Sequence, residues 1–119
     1  MKKCILIIIF SILPFSNYLT YSFGFEKSQL KNLMLFNQCP ACDLRGAELH
    51  STNLTLAELS SANLSEANLE EAFLDMASLN KANLEEANLT RTNLQLADIT
   101  GVIFCKTKTP WGEKKTHCK

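Results

Sequence analysis

The sequence of 119 residues lacks the features that mark most enzymes, nucleic-acid-binding proteins and membrane-spanning proteins. It has only two histidines, and no serine, cysteine or carboxylate is placed in the sequence to form a catalytic set with His50. Acidic and basic residues are equal in number, twelve of each, so there is no excess positive charge for a nucleic acid. We therefore expect no catalytic residue, no cofactor, no metal and no nucleic-acid partner.

The first 24 residues have the pattern of a secretory signal peptide. Lys2 and Lys3 precede an apolar run, 5–15, and a stretch of small and polar residues, 16–24, follows. The run of about eleven apolar residues is shorter than the roughly 20 that a membrane span needs, which disfavours the alternative of an uncleaved anchor. We expect cleavage after Ser22 or Gly24, no membrane span in the mature chain, and export to the periplasm or the outside of a bacterial cell.

The rest of the chain is dominated by a five-residue repeat. From Cys42 to Lys106 there are thirteen consecutive units, each with a large apolar residue at its centre and a small residue two positions earlier. The centres are Leu44, Leu49, Leu54, Leu59, Leu64, Leu69, Leu74, Leu79, Leu84, Leu89, Leu94, Ile99 and Phe104. A period of five would scatter these residues around an α-helix and would place them on alternate faces of a flat strand. The chain must therefore turn once in every repeat, so that all the centres face one interior.

Units such as Ala-Asn-Leu-Ser-Glu (62–66) and Ala-Asn-Leu-Glu-Glu (67–71) resemble the pentapeptide-repeat family, whose units follow the pattern Ala-Asn/Asp-Leu-x-x. The resemblance implies an all-β fold, a right-handed quadrilateral parallel β-helix with four repeats, or twenty residues, per coil. We accordingly divide the chain into the signal peptide (1–24), an N-terminal flank or cap with an amphipathic helical pattern (25–41), the repeats (42–106) and a C-terminal cap or tail (107–119). The outward asparagines are expected to stack in ladders between coils.

Charge is unevenly distributed along this predicted rod. The repeats hold ten acidic residues against four basic ones, whereas the tail from Lys108 is basic. Some members of the family that the repeats resemble are acidic rods that mimic DNA and bind DNA gyrase, which is one alternative for the function. The predicted export signal and the short array favour a different hypothesis, a non-catalytic interaction or structural module outside the cytosol that binds an unknown protein partner or forms a homodimer.

Four cysteines remain after the predicted signal peptide, an even number that is typical of disulfides in an exported small domain. On the fold that the resemblance implies, Cys39 and Cys42 lie at one end of the rod and Cys105 at the other, about 14 Å away, beyond the ~7 Å that a disulfide spans. This favours a Cys105–Cys118 bond, with Cys39–Cys42 as a possible short bridge. Three alternatives remain: Cys42 as a buried free thiol, Cys39-x-x-Cys42 as a redox pair, and a zinc site formed by these cysteines with His117 and Cys118.

One set of outward positions is apolar. Leu56, Met76 and Leu96 are the large apolar residues at the last position of a repeat, and they are twenty residues apart, so a four-sided coil would stack them at one corner. Phe73 falls on the same side. We call Leu56, Phe73, Met76 and Leu96 the corner stripe and predict that it is an interface, because contiguous exposed apolar patches usually mark one. The alternative is that the flank, 25–38, covers it.

Overall fold

The computed structural model describes residues 27–116 and residue 118. The predicted signal peptide, Phe25 and His117 lie outside the described residues. The described chain consists of one helix, a stack of short parallel bridges and a terminal hairpin: α1 (Lys27–Phe36), β1 (Phe104–Thr109) and β2 (Gly112–Thr116).

Each repeat contains one tight turn. The backbone N–H of the small residue donates a hydrogen bond to the carbonyl of the preceding centre, as in Ala47 to Leu44 (3.1 Å) and Ala62 to Leu59 (3.0 Å). The residue just before each small residue has a positive φ, as at the third position of a type II turn, and this recurs every five residues from Ala41 to Lys106. The five-residue period of the sequence therefore corresponds to one turn of the backbone in every repeat.

Four turns complete one coil. Eleven parallel bridges join residues twenty positions apart, from Gln38 with Glu58 to Asn88 with Lys108. Backbone hydrogen bonds follow the same register, for example from Leu44 N to Asn63 O (2.8 Å) and from Asn63 N to Cys42 O (2.8 Å). The predicted four-sided parallel β-helix is therefore present.

The coil register extends one unit beyond each end of the predicted repeats. Cys39 occupies the centre position twenty residues before Leu59, and Thr109 occupies the one twenty residues after Leu89; both are buried. Sequence inspection did not detect these units because neither has a large apolar centre. The first is filled by a cysteine and the last by a threonine, whose hydroxyl donates to Gly112 O (2.5 Å).

The core is a single column of leucine and small residues. The ten centres from Leu44 to Leu89 are at most 1% exposed. Ile99, which the repeat pattern places in the interior, is instead 36% exposed, and Leu94 is only partly buried. The reason is positional: after Thr109 the chain turns into β2, so no described coil covers the sides that carry Leu94 and Ile99.

The outward asparagines stack on successive coils where the sequence repeats them, as at Asn63 with Asn83 and Asn68 with Asn88, but their side chains bond to other groups and not to one another. Their side-chain oxygens accept hydrogen bonds from the backbone N–H two residues later, within the turn of their own repeat, as in Asn53 with Thr55 (3.0 Å) and Asn83 with Glu85 (3.0 Å). Some of their amide groups reach a carboxylate on the preceding coil, as in Asn68 to Glu48 (3.0 Å). The repeated asparagine thus stabilises each corner locally, because an Asx side chain satisfies a turn N–H.

The N-terminal end of the core is covered by α1, the helix that the flank pattern predicts. Leu33 is buried against the core, and the Gln29 side chain accepts a hydrogen bond from Asp43 N (2.6 Å). The helix ends at Phe36, and Asn37 after it has a φ of 55° and donates from its N–H to Leu33 O (2.9 Å), a left-handed C-terminal cap. No helix in the described part of the chain has both the length and the hydrophobicity needed to cross a membrane.

The C-terminal end is partly covered by the β1–β2 hairpin. The strands pair antiparallel from Phe104 with Thr116 to Thr109 with Gly112. The Lys114 ammonium lies 5.5 Å from the ring centre of Phe104 and 5.4 Å from that of Trp111, within the range of cation–π contacts. Part of the predicted tail is therefore an ordered cap on one half of the last coil.

Candidate interaction surface

The residues of the corner stripe lie together on the outside of the rod. Leu56, Met76 and Leu96 follow one another at the same corner of successive coils, and Phe73 lies on the side leading to that corner. Their exposed fractions are 61%, 50% and 86% for the corner residues and 50% for Phe73. The interface assignment itself stays a prediction, but these side chains are accessible to a partner.

The described part of the flank leaves the corner stripe open. Helix α1 packs Leu33 onto the end of the core and is tied to the first coil through Gln29 and through Asn37, whose amide donates to Thr55 O (2.7 Å). Met34, Leu35 and Phe36 themselves remain exposed. The flank therefore acts as an end cap, and it adds apolar surface instead of hiding it.

Phe36 is a further exposed apolar residue near the N-terminal end of the rod. It is the last residue of α1 and is 67% exposed. The coil register begins directly after it, since the Asn37 carbonyl accepts a hydrogen bond from Glu58 N (3.0 Å) and Gln38 pairs with Glu58. Sequence reasoning missed Phe36 because it precedes the first recognisable repeat.

The corner positions have a backbone conformation that does not favour large apolar side chains. Leu56, Met76 and Leu96 have φ values of 63°, 55° and 57°, in the left-handed region. For residues other than glycine, asparagine and aspartate this conformation costs about 1–2 kcal/mol each. Neither burial nor backbone preference within the monomer therefore accounts for leucine and methionine at these positions.

Carboxylates surround the stripe, and the described residues provide them with no cation. Glu58 and Asp98 point outward on the side that follows the corner, and Asp75 lies in the corner turn itself. The ion pairs found in the described residues lie elsewhere on the rod; they are Arg45–Asp43, Arg91–Glu70, Arg91–Glu71 and Lys106–Glu86. Hydrogen bonds from the Thr100 side chain and backbone lower the pKa of Asp98 below its ordinary value, so Asp98 is charged at neutral pH.

Helix α1 carries two exposed basic groups. Lys27 and Lys31 are one turn apart and on the same helical face as Leu35, and the helix contains no acidic residue. No ion pair among the described residues involves either lysine. Gln29, between them, accepts a hydrogen bond from Asp43 N, so this part of α1 lies over the side of the rod that carries Asp43 and not at the corner of Leu56.

The cysteines are joined in the two pairs that the sequence argument favoured. The Cα atoms are 5.3 Å apart for Cys39–Cys42 and 4.9 Å apart for Cys105–Cys118. Cys42 is therefore bonded, in contrast to the alternative of a free buried thiol. Both disulfides lie at the ends of the rod.

Within the described residues, no cluster of three or more His, Cys, Asp or Glu side chains could hold a metal ion. Cys39 is 2% exposed, which leaves little access for the thiol exchange that a redox pair performs.

His50 has neighbours that the sequence analysis did not anticipate. Its Nδ1 lies 3.3 Å from Ser51 Oγ, which in turn donates to Glu71 Oε2 at 3.4 Å. The serine stands between the imidazole and the carboxylate, so the carboxylate cannot orient the imidazole as in a hydrolase triad. All three residues are exposed. The contact is a surface chain of hydrogen bonds between successive coils.

A rod of stacked four-sided coils, covered at one end by a helix and partly at the other by a hairpin, defines a solenoid repeat protein. The family model of pentapeptide repeats matches eight copies over residues 42–80 and 74–104, which together make up more than half of the chain. The chain belongs to the pentapeptide-repeat family, whose fold is a right-handed quadrilateral β-helix.

Solved structures similar to this chain are also pentapeptide repeat proteins. One, from the thylakoid lumen of Arabidopsis thaliana, is 24% identical over 71% of this chain and 55% of its own, with a TM-score of 0.45. This chain thus spans little more than half of that protein. Another, Rfr23 from the cyanobacterium Cyanothece 51142, is 24% identical over 64% of this chain and 92% of its own, with a TM-score of 0.35. A comparison with curated proteins finds no match.

The stability of the monomer should depend little on the corner stripe. We expect the combined change Leu56→Ser, Met76→Ser and Leu96→Ser to alter the free energy of unfolding by no more than about 0.5 kcal/mol per site, because the side chains are exposed. Urea unfolding at low protein concentration measures this. Leu54→Ala, two residues from Leu56 but fully buried, is the matched control and should cost about 2–5 kcal/mol. A large loss in the triple variant would mean that the monomer itself buries the stripe.

Proposed function

We propose that this protein is an exported, non-catalytic interaction or structural module that binds a protein through the corner stripe. The observation that carries the proposal is the exposed apolar row of Leu56, Met76 and Leu96 on a rod whose other corners are mainly polar. Large apolar side chains that recur at one corner of every coil are unfavourable in water, and the left-handed backbone conformation at that corner does not favour them either. A partner that covers these side chains removes the cost of exposing them to water.

The scaffold suits this role because it holds the stripe rigidly. Leu56 N donates to Asp75 O (2.9 Å) and Met76 N to Gln95 O (2.8 Å), so the first two corners of the stripe are held by the next coil. A surface that is already ordered loses little conformational freedom on binding. The stripe is therefore a preformed ridge.

Export is supported by the pattern of residues 1–24 and by the two disulfides, which persist in oxidising compartments such as the periplasm. The same two features count against the gyrase-binding alternative, since gyrase is a cytosolic enzyme. The acidic residues favoured that alternative, but several of them pair with Arg45, Arg91 and Lys106. The proposed site is consequently the apolar corner and not an acidic face.

One experiment in bacterial cells tests both parts of the proposal. A photo-crosslinking amino acid replaces Met76 in the full chain, and the same residue replaces Glu66, on the opposite corner of the same coil, as the control. We expect the chain in the envelope or secreted fraction, starting near Phe23 or Phe25, with protein adducts formed from position 76 and few from position 66. A cytosolic chain that retains Met1 would refute export. Equal adducts at both positions, or none, would refute the interaction role.

A further inference from the structure

We infer that the C-terminal end of the rod docks onto an anionic lipid surface, with Trp111 in the membrane interface and the lysines of the hairpin near the lipid phosphates. This surface is separate from the one in the proposed function, and its contact with lipid leaves Leu56 and Met76 open to a protein partner. Three features of the structure support the docking: the exposed apolar residues at this end, the distribution of charge along the chain, and the shape and size of the surface.

The exposed apolar residues lie on the half of the last coil that the hairpin leaves open. Strand β1 ends at Thr109, and no described coil covers the side of the rod that carries Ile99. Leu96 is exposed beside it, and Trp111, in the turn that follows β1, is 52% exposed. A tryptophan ring has an apolar body and a polar N–H, and such rings concentrate at the boundary between lipid and water. This end therefore has the side chains that suit a membrane interface.

Positive charge is concentrated at the same end. Residues 94–119 contain five lysines against two acidic residues, Asp98 and Glu113, whereas residues 27–93 contain nine acidic residues against five basic ones. One of the five lysines, Lys106, forms an ion pair with a glutamate of the repeats. An anionic membrane attracts the C-terminal end and repels the rest of the rod. The charge distribution thus turns the rod so that its C-terminal end meets the membrane.

Basic and aromatic groups are close together in the hairpin. The Lys114 ammonium lies 5.4 Å from the centre of the Trp111 ring, and Lys108 is exposed on β1, three residues before Trp111. Peripheral membrane binding combines insertion of apolar groups with attraction between basic residues and anionic lipids. The hairpin holds both kinds of group in an ordered arrangement.

The shape and size of this surface favour a lipid over a protein. The turn of the hairpin, residues 110–113, is exposed throughout, so it is a protruding tip and not a groove. A stable protein interface buries roughly 800 Å² on each partner, far more than one such tip offers. A lipid surface needs no matching shape, because its headgroups rearrange around the inserted ring and the nearby charges.

The fluorescence of Trp111 tests the docking directly, because it is the only tryptophan in the chain. The purified, disulfide-bonded protein is mixed with vesicles of phosphatidylcholine and phosphatidylglycerol in equal parts, or of phosphatidylcholine alone. We expect emission to shift to shorter wavelength with the anionic vesicles only, and the shift to disappear at high salt. Attachment of the chain through another segment does not produce this shift. Unchanged emission with the anionic vesicles would overturn the inference.

Matched variants at the two ends of the rod test the orientation by co-sedimentation with the anionic vesicles. Lys108→Gln should weaken binding about five-fold, and Trp111→Ser about ten-fold. Lys31→Gln and Phe36→Ser make the same kinds of change in α1, at the opposite end of the rod, and should have little effect. Equal losses at the two ends would contradict docking through the C-terminal end.

An acidic protein is the alternative occupant of this end. A photo-crosslinking amino acid at position 111 would then form protein adducts in cells, while the emission of Trp111 in the unmodified protein would not respond to vesicles, and the inference would be wrong. The proposed function depends instead on adducts from position 76. The two proposals can therefore fail independently of each other.

Discussion

Leu69→Lys should abolish folding. Leu69 lies on the middle coil, is fully buried, and is surrounded by leucine and alanine side chains that offer no carboxylate to a lysine. An unpaired charge in such an interior costs a large part of the roughly 5–15 kcal/mol that stabilises a small domain. The loss is also not local, because each coil is stabilised by its neighbours and a broken middle coil separates the two ends.

Circular dichroism and thermal melting measure this effect. Leu69→Ala is the graded variant and should remain folded while losing about 2–5 kcal/mol. Gln95→Lys introduces the same charge at an exposed corner turn and should melt close to wild type. A Leu69→Lys variant with a melting temperature near that of wild type would contradict the position of the core.

Removing the Cys105–Cys118 bond should cost about 3 kcal/mol, the value expected for a cross-link that closes a loop of 13 residues. The bond fastens the end of β2 to the last coil, and the hairpin that it secures covers Phe104 through Lys114. Cys118→Ser is the appropriate variant because Cys118 is exposed, so the change leaves no cavity. Urea unfolding gives the free energy, and hydrogen exchange locates the change.

The loss of protection against hydrogen exchange should be confined to one part of the rod. Amide protection should fall in the β1–β2 hairpin of Cys118→Ser and should be retained near Leu69 and Leu74 in the middle of the rod. The Cys39–Cys42 bond closes a loop of only three residues, so its removal should cost less in chain entropy. Unchanged stability and unchanged protection of the hairpin would show that the tail is held by its strand pairing alone.

The repeat pattern was sufficient to predict most of the fold. An apolar centre such as Leu64 and a small residue such as Ala62 recur in every unit, and only a turn in each repeat can bring them to one interior. The spacing of Leu56, Met76 and Leu96 indicated the four-sided coil independently. These predictions succeeded because they depend on contacts between neighbouring repeats, which a strict period specifies.

The structure of the two ends of the rod could not be predicted from the repeat pattern, because the segments there do not repeat. That Cys39 and Thr109 occupy centre positions follows from hydrogen bonds between coils and not from their residue types. The partial exposure of Ile99 has the same origin, since a centre is buried only where another coil or a cap lies over it.

By itself, the sequence determined that the chain turns every five residues, which side chains face inward, and which corner is apolar, because these are local and periodic properties. The tertiary structure alone decided where the stack begins and ends, and that α1 caps the rod without covering the stripe. Each of these depends on the packing of the non-repeating segments against particular coils, for which a five-residue pattern contains no information.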